Sequence, residues 1–461
     1  MWTSRTATCR LMMGLLLGAA AFGPMVALAQ VQDPGVRHAA TDGGPPVPLP
    51  GLTSDELTFF QDGVRRFQTV EVVSGATATQ GNGLGPRFNS NQCSSCHLQP
   101  FAGGSSPATN PQVAVAHAEG ATNQIPWFIV PNGPVREARF KTSNGAPDGG
   151  VHNTFVITGR TDAGSCTISQ PSFTPAGNGL TGQGGNPNII FRIPTPTLGG
   201  GLIESINDST ILASARSNAE AKEQMGIRGS ANRSGNDGTI TRFGWKAQNK
   251  SLLMFAGEAY NVEMGISNQL FQQERDETPG CQGGFATPND TVNFSSAGAA
   301  VLSDIEAFAD FMRMLAPPTP APANASTTHG SQLFASTGCA LCHTPTLTTG
   351  NAIASGSATS PSGALSNKPA NLFSDLLVHH MGSGLADGIS QGGAGPDQFR
   401  TAPLWGVGQR VFFLHDGRTS NIITAIIDHA STGSEANRVV ANYQALSAGD
   451  QQDLINFLRS L

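Results

Sequence analysis

Four stretches of the chain place apolar residues three and four positions apart behind a capping residue. The first, TSDELTFFQDGVRRF at 53–67, opens on Thr53 and Glu56 in the spacing of a capping box. In LSDIEAFADFMRML, Ser303 and Glu306 form the same box, followed by a stripe of Phe308, Phe311, Met312 and Leu315. A shorter segment, GSQLFAS, covers Gly330 to Ser336. The chain ends on LSAGDQQDLINFLRSL, where Ser447 and Asp450 start a helix with Leu454, Phe457, Leu458 and Leu461 on one face. The pattern predicts four helices in two copies of one order: a leading helix, an insertion, a closing helix.

Between the first two helices, about 105 to 298, the sequence turns rich in Gly, Asn and Pro. Its short apolar runs, WFIV at 127–130, FVIT at 155–158 and NIIFRI at 188–193, read as short strands. The Pro-rich run APPTPAPANA at 316–325 reads as a stiff linker, and the Gly/Ser/Ala-rich 349–369 as an exposed loop. The predicted organisation is a leader at 1–29, an N-terminal linker at 30–50, a first unit at 51–315, a linker at 316–326 and a second unit at 327–461. The fold class is mainly α, with a loop-rich insertion carrying short strands in the first unit.

Composition narrows the function. Apolar residues make up 38% of the chain, enough for a packed core, and charged ones 13%. The formal charge of −6 and the lack of any Lys/Arg-rich run argue against nucleic acid as a partner. Arg5 and Arg10, the apolar LMMGLLLGAAAFG and Ala27-Leu28-Ala29 read as an export signal cleaved before Gln30. The mature protein is then expected in the periplasm, with no stable membrane span.

The chemistry lies in the cysteines. Four of the seven stand in two identical frames, Cys93-Ser94-Ser95-Cys96-His97 and Cys339-Ala340-Leu341-Cys342-His343. Cys-x-x-Cys-His is the attachment frame of c-type haem: two thiols one turn apart add to the haem vinyls, and the next His reaches the iron. A zinc site would want the two Cys pairs far closer than the more than two hundred positions that separate them. Two covalent haems are expected, with His97 and His343 as iron ligands. A leading and a closing helix around each frame suit cytochrome c-like haem units, in which the two helices pack together. Cys166 and Cys281 are left over, and in an oxidising compartment they form one disulfide or stay as two thiols.

The blocks NSNQCSSCHLQPFAGGSSPATNPQVA, FRIPTPTLGGGLIESI, TRFGWKAQNKSLLMFAGEAYNVEMGISNQLF and FRTAPLWGVGQRVFFLHDGRTSNIITAIIDHA resemble the di-haem oxidoreductase family, described as peroxidases or thiol oxidoreductases. More distantly, the second unit is similar to bacterial di-haem cytochrome c peroxidases, to relatives that mature quinone cofactors and to haem rubber oxygenases. The resemblance implies His429 as distal ligand of the second haem, where peroxidases carry Met, with Met381 the rival and His379 and His380 lining the pocket. For the first haem it implies an open site. His117 and His152 are the alternative ligands, Glu204 the acid–base residue and Trp245 an electron relay between the haems. Arg192, Arg400, Arg410 and Arg418 are candidates for the haem propionates. A Ca²⁺ between the units would rest on backbone carbonyls of Thr401 and Pro403.

The implied function is an exported peroxidase-like oxidoreductase that moves electrons from the C-terminal haem to a reactive N-terminal one. It would meet a small-molecule oxidant and an electron-donor protein such as a small cytochrome or cupredoxin. The alternatives are a non-catalytic di-haem electron carrier, an oxygenase acting on an apolar substrate, and a thiol oxidase. For the last, no exposed mature Cys pair is left over.

Overall fold

A computed structural model describes residues 30–39, 42–72, 80–85, 87–118, 124–156, 170–173, 187–273, 289–351 and 363–461, with Met1 and Ala121. The leader, Cys166 and Cys281 lie outside the described residues. Among the described residues 34% are helical, in thirteen α-helices and three short 3₁₀ turns, and there are six sheets of two or three strands. No described helix is long and apolar enough to cross a membrane.

All four periodic stretches are helical. Ser54–Phe67 starts on the Thr53/Glu56 box and Asp304–Met314 on the Ser303/Glu306 box. Ala448–Ser460 starts on Ser447, whose side chain accepts from the Asp450 N–H. Ala325–Ser336 begins five residues before Gly330, within the stretch read as linker, because Asn324 caps it and Thr327 closes a box.

The helices pair by repeat. Ser54–Phe67 packs along Asp304–Met314, and Ala325–Ser336 along Ala448–Ser460. In each pair the approach is set by one glycine. A Cβ on Gly63 would come within 2.8 Å of the Phe311 Cβ, and one on Gly330 within 2.8 Å of the Phe457 Cβ, where it would also overlap the Asp453 carbonyl. Four residues on, Phe67 and Phe334 fill the space below, at 5% and 3% exposure. Burying a Phe in this way contributes about 1.5–3 kcal/mol. Gly330→Ala is therefore expected to destabilise the protein by about 1–3 kcal/mol through overpacking. Helix propensity alone would give the opposite sign, by about 1 kcal/mol, so the shift of the urea midpoint decides between them.

Two readings of the insertion change. WFIV at 127–130 forms a turn, not a strand. It lies between Pro126 and Pro131, and Phe128 packs its ring 4.6 Å from Phe191 and 5.4 Å from Phe173. Phe155–Val156 and Ile189–Arg192 are strands, the latter antiparallel to Glu137–Phe140. Five helices, Gln112–Ala118, Gly200–Glu204, Asp208–Arg216, Ala219–Met225 and Leu252–Met264, occupy sequence read as loop and strand. The 349–369 segment is anchored at its ends: Leu347–Thr348 pairs with Pro369–Ala370, and Ala364 and Leu365 are buried.

The N-terminal segment read as a linker packs on both helix pairs. Asp33 takes two bonds from the Arg459 guanidinium, at 2.8 and 2.7 Å. The Leu49 N–H donates to the Met314 carbonyl at 2.8 Å.

Candidate functional site

Two chambers lie below the two helix pairs, with empty volumes of about 1160 and 1420 Å³. Cys93, Cys96 and His97 line the first; Cys339, Cys342 and His343 line the second.

The frames fold as the spacing requires. Cys93–Cys96 is a single helical turn, and the His97 N–H closes it on the Cys93 carbonyl at 3.1 Å. In the second frame Cys339–Leu341 is a 3₁₀ turn, and the His343 N–H meets the Cys339 carbonyl at 2.9 Å. All four thiols are unbridged. The imidazoles are held alike. His97 Nδ1 donates to the Gly104 carbonyl at 3.1 Å and His343 Nδ1 to the Phe373 carbonyl at 3.0 Å. That fixes the tautomer and leaves each Nε2 with a free lone pair. Burial lowers the pKa of each to about 4, so both rings are neutral at pH 7.

His429 repeats this arrangement in the second chamber. Its Nδ1 donates to the Ala425 carbonyl at 2.6 Å, and burial pushes its pKa down. His343 and His429 line the same chamber. Met381 also lines this chamber. His379 stands behind Cys342 between Asp375 and Glu435, at 3.0 and 2.7 Å, and His380 is half-exposed beside Asp397.

The first chamber carries charge that no motif announced. Glu137, from Glu137–Phe140, and Glu263, from Leu252–Met264, line it and are hydrogen-bonded to each other. Burial pushes both carboxyls up. For Glu137 burial is the largest single influence, but the Arg139 guanidinium 2.6 Å away, the hydrogen bond with Glu263 and the Arg192 charge together overcome it and hold the group below the usual carboxylate range. Glu263 is driven well up by burial and by the Glu137 charge, although Asn89 donates to it at 2.8 Å. Of the two, Glu263 is the carboxyl disposed to carry a proton and Glu137 the one disposed to stay ionised. The available sequence signal was faint: Glu258 and Glu263 are the only charged residues in the otherwise apolar LLMFAGEAYNVEM.

Trp245 lines both chambers, buried, with its Nε1–H on the Ile193 carbonyl at 2.9 Å. Its ring lies 6.5 Å from that of His415, which stacks on Phe399 at 4.3 Å.

Other sequence candidates fall elsewhere. Glu204 does not line the first chamber; it pairs with Arg313 at 2.5 Å and accepts the Leu252 N–H at 2.8 Å, which secures a helix start. His117 is exposed, and His152 is held by Asp148 at 3.0 Å and stacked on Phe140 at 4.0 Å. Neither lines the chamber. Arg192 is engaged by Asp387 and Arg418 by Asp416, at 2.6 and 2.8 Å. Arg400 and Arg410 are buried in the second chamber's wall, and among the described residues neither has a carboxylate partner. Burial lowers both to about 10. These guanidiniums also flank Thr401 and Pro403. No group of three His, Cys, Asp or Glu among the described residues could hold a metal ion.

The family model described as "Di-haem oxidoreductase, putative peroxidase" matches residues 185–461, more than half of the chain. No curated protein matches it. Among solved structures, hydrazine synthase of Kuenenia stuttgartiensis is 12% identical with a TM-score of 0.33, over 99% of this chain and 100% of its own. A MauG-like protein associated with microbial copper homeostasis is 14% identical with a TM-score of 0.27, over 56% and 89%. The diheme peroxidase BthA of Burkholderia thailandensis is 14% identical with a TM-score of 0.28, over 74% and 95%.

Proposed function

Because this chain belongs to the di-haem oxidoreductase family, we propose that it is an exported, peroxidase-like enzyme with one covalent c-type haem at each Cys-x-x-Cys-His frame. The residues present fit that group. Each frame offers two thiols, a neutral imidazole with a free Nε2 and a chamber, and Arg400 and Arg410 supply unpaired cations suited to propionates. The 51–315 and 327–461 segments then act as the two haem units, and His343 and His429 as the axial pair of the second.

One observation carries the peroxidase reading: the wall that holds His97 also holds the Glu137–Glu263 pair, and no second imidazole among the described residues. Haem, when bound, supplies an iron centre that exchanges single electrons. The chain supplies the proton handling. The Glu137 carboxylate takes a proton from a peroxide in the chamber, and the Glu263 carboxyl gives one to the departing oxygen. Arg139 keeps Glu137 ionised between turnovers. Trp245, touching both chambers, serves as the electron relay from the second unit, which a small cytochrome or cupredoxin would reduce. A carboxyl pair at this wall suits a small polar oxidant better than an apolar substrate.

The electron-carrier reading draws on Met264 and Met312, whose thioethers also line the first chamber and could complete a six-coordinate iron. Haem attachment is tested by intact mass. The Cys93→Ala/Cys96→Ala variant should retain one covalent haem, and so should Cys339→Ala/Cys342→Ala. Two haems retained in either would contradict the assignment.

A further inference from the structure

The chain has only two tyrosines, Tyr260 and Tyr443, and each lines one of the two chambers. Their hydroxyls are placed differently. Tyr443 Oη is buried with no hydrogen-bond partner among the described residues. Tyr260 Oη donates to Asp304 Oδ2 at 3.2 Å and is hydrogen-bonded to Glu71. Both tyrosines are buried, at 3% and 2% exposure, so neither can meet a protein partner directly.

Tyr260 is also joined to the first frame by ring contacts. Its ring lies 5.1 Å from Phe308, Phe308 lies 6.1 Å from Phe67, and Phe67 lies 6.2 Å from His97. A phenol loses an electron readily only if its proton leaves at the same time. At Tyr260 a carboxylate stands ready to take that proton; at Tyr443 nothing does.

We propose that Tyr260 is a redox-active residue that stores one oxidising equivalent during peroxide turnover, with Asp304 as the acceptor of its phenolic proton. The proposal rests on the peroxidase reading above. Peroxide is a two-electron oxidant, whereas the donor delivers electrons singly. In the step, the Tyr260 O–H bond breaks. One electron passes to the peroxide-oxidised first centre, and the proton passes to Asp304 Oδ2, the oxygen to which the hydroxyl already donates at 3.2 Å. A neutral phenoxyl radical remains. An electron from the donor and the proton returned by Asp304 then restore the phenol. The other carboxylate oxygen, Oδ1, is paired with Arg66 at 2.9 Å, which holds the acceptor in place.

The test uses the full haem-loaded protein, freeze-quenched after hydrogen peroxide and read by EPR. A g ≈ 2 radical is expected whose hyperfine width narrows when the protein is made with ring-deuterated tyrosine. It should vanish in Tyr260→Phe, persist in Tyr443→Phe, and fall at least several-fold in yield in Asp304→Asn. Peroxide turnover with no tyrosyl signal in the unmodified protein would overturn the inference and leave the peroxidase reading standing. A signal that survives Tyr260→Phe and is lost in Tyr443→Phe would also overturn it. Failure of the unmodified protein to react with peroxide would overturn both. If Tyr260→Phe loads less haem, the unmodified protein still decides, because the β-methylene proton couplings, set by the torsion of each side chain about its Cβ–ring bond, distinguish the two tyrosines.

Discussion

Glu137→Gln slows the reaction with peroxide by about 10²–10⁴-fold, the range by which a placed general base contributes, while both haems stay attached. The amide keeps the size of the side chain and its place in the chamber. It cannot take a proton, and it removes the charge that Arg139 stabilises at 2.6 Å. Without that charge the Glu263 carboxyl loses one of the causes that hold its pKa up, next after burial, so the acid changes along with the base. The pH profile carries the same signature. Glu137 is held below the usual carboxylate range, so the acid limb of the rate should lie below about pH 4.3, the value for an ordinary Glu. Glu263 is pushed well above that value, so the alkaline limb should lie above it, where the shared proton is lost. Stopped-flow rates across pH check both limbs. An unchanged rate in Glu137→Gln would remove the carboxyl pair from the mechanism.

Asp387→Ala costs about 3–5 kcal/mol, the penalty for leaving buried charge unpaired. Asp387 is fully buried and meets Arg192 at 2.6 Å and Lys246 at 3.1 Å. Lys246 is itself fully buried, capped by the Gly395 and Gln398 carbonyls, both at 2.9 Å, and its pKa is already lowered to about 8, chiefly by burial. Removing the carboxylate leaves two cations facing each other without a counter-charge. The damage also reaches the wall between the chambers, because Lys246 lies 4.1 Å over the Phe399 ring that stacks on His415. Urea unfolding measures the loss. A change under about 1 kcal/mol would show that water or rearrangement satisfies the cluster.

The features legible in the sequence are those that local chemistry dictates. A capping box and an i, i+3, i+4 stripe need only nearby residues, so the helices at 54–67, 304–314 and 448–460 could be read directly. The Cys-x-x-Cys-His frames were legible because attachment chemistry fixes their spacing. The Leu252–Met264 helix was not. It is apolar on most faces because it is packed from several sides, so it shows no stripe. With it went Tyr260 and Glu263. Glu137 comes from a short strand far away in sequence, and its role depends on meeting Glu263 across the chamber, a long-range contact that no local pattern records. Glu204 misled for the opposite reason: its block lies near the first chamber, but the side chain turns away to Arg313. His429 could be inferred only through resemblance, yet its Nδ1 bond to Ala425 copies the hold on His97 and His343.

The central claim is that the two haems differ: one in the first chamber with an open position beside Glu137 and Glu263, one in the second held by His343 and His429. EPR and optical spectra of the purified protein, oxidised and then half-reduced, before and after hydrogen peroxide, test it most directly. The account expects one high-spin and one low-spin haem once the second is reduced, with the high-spin signal lost on peroxide addition. Two low-spin haems, unchanged by peroxide in either state, would contradict it and point to a thioether from Met264 or Met312 closing the first site.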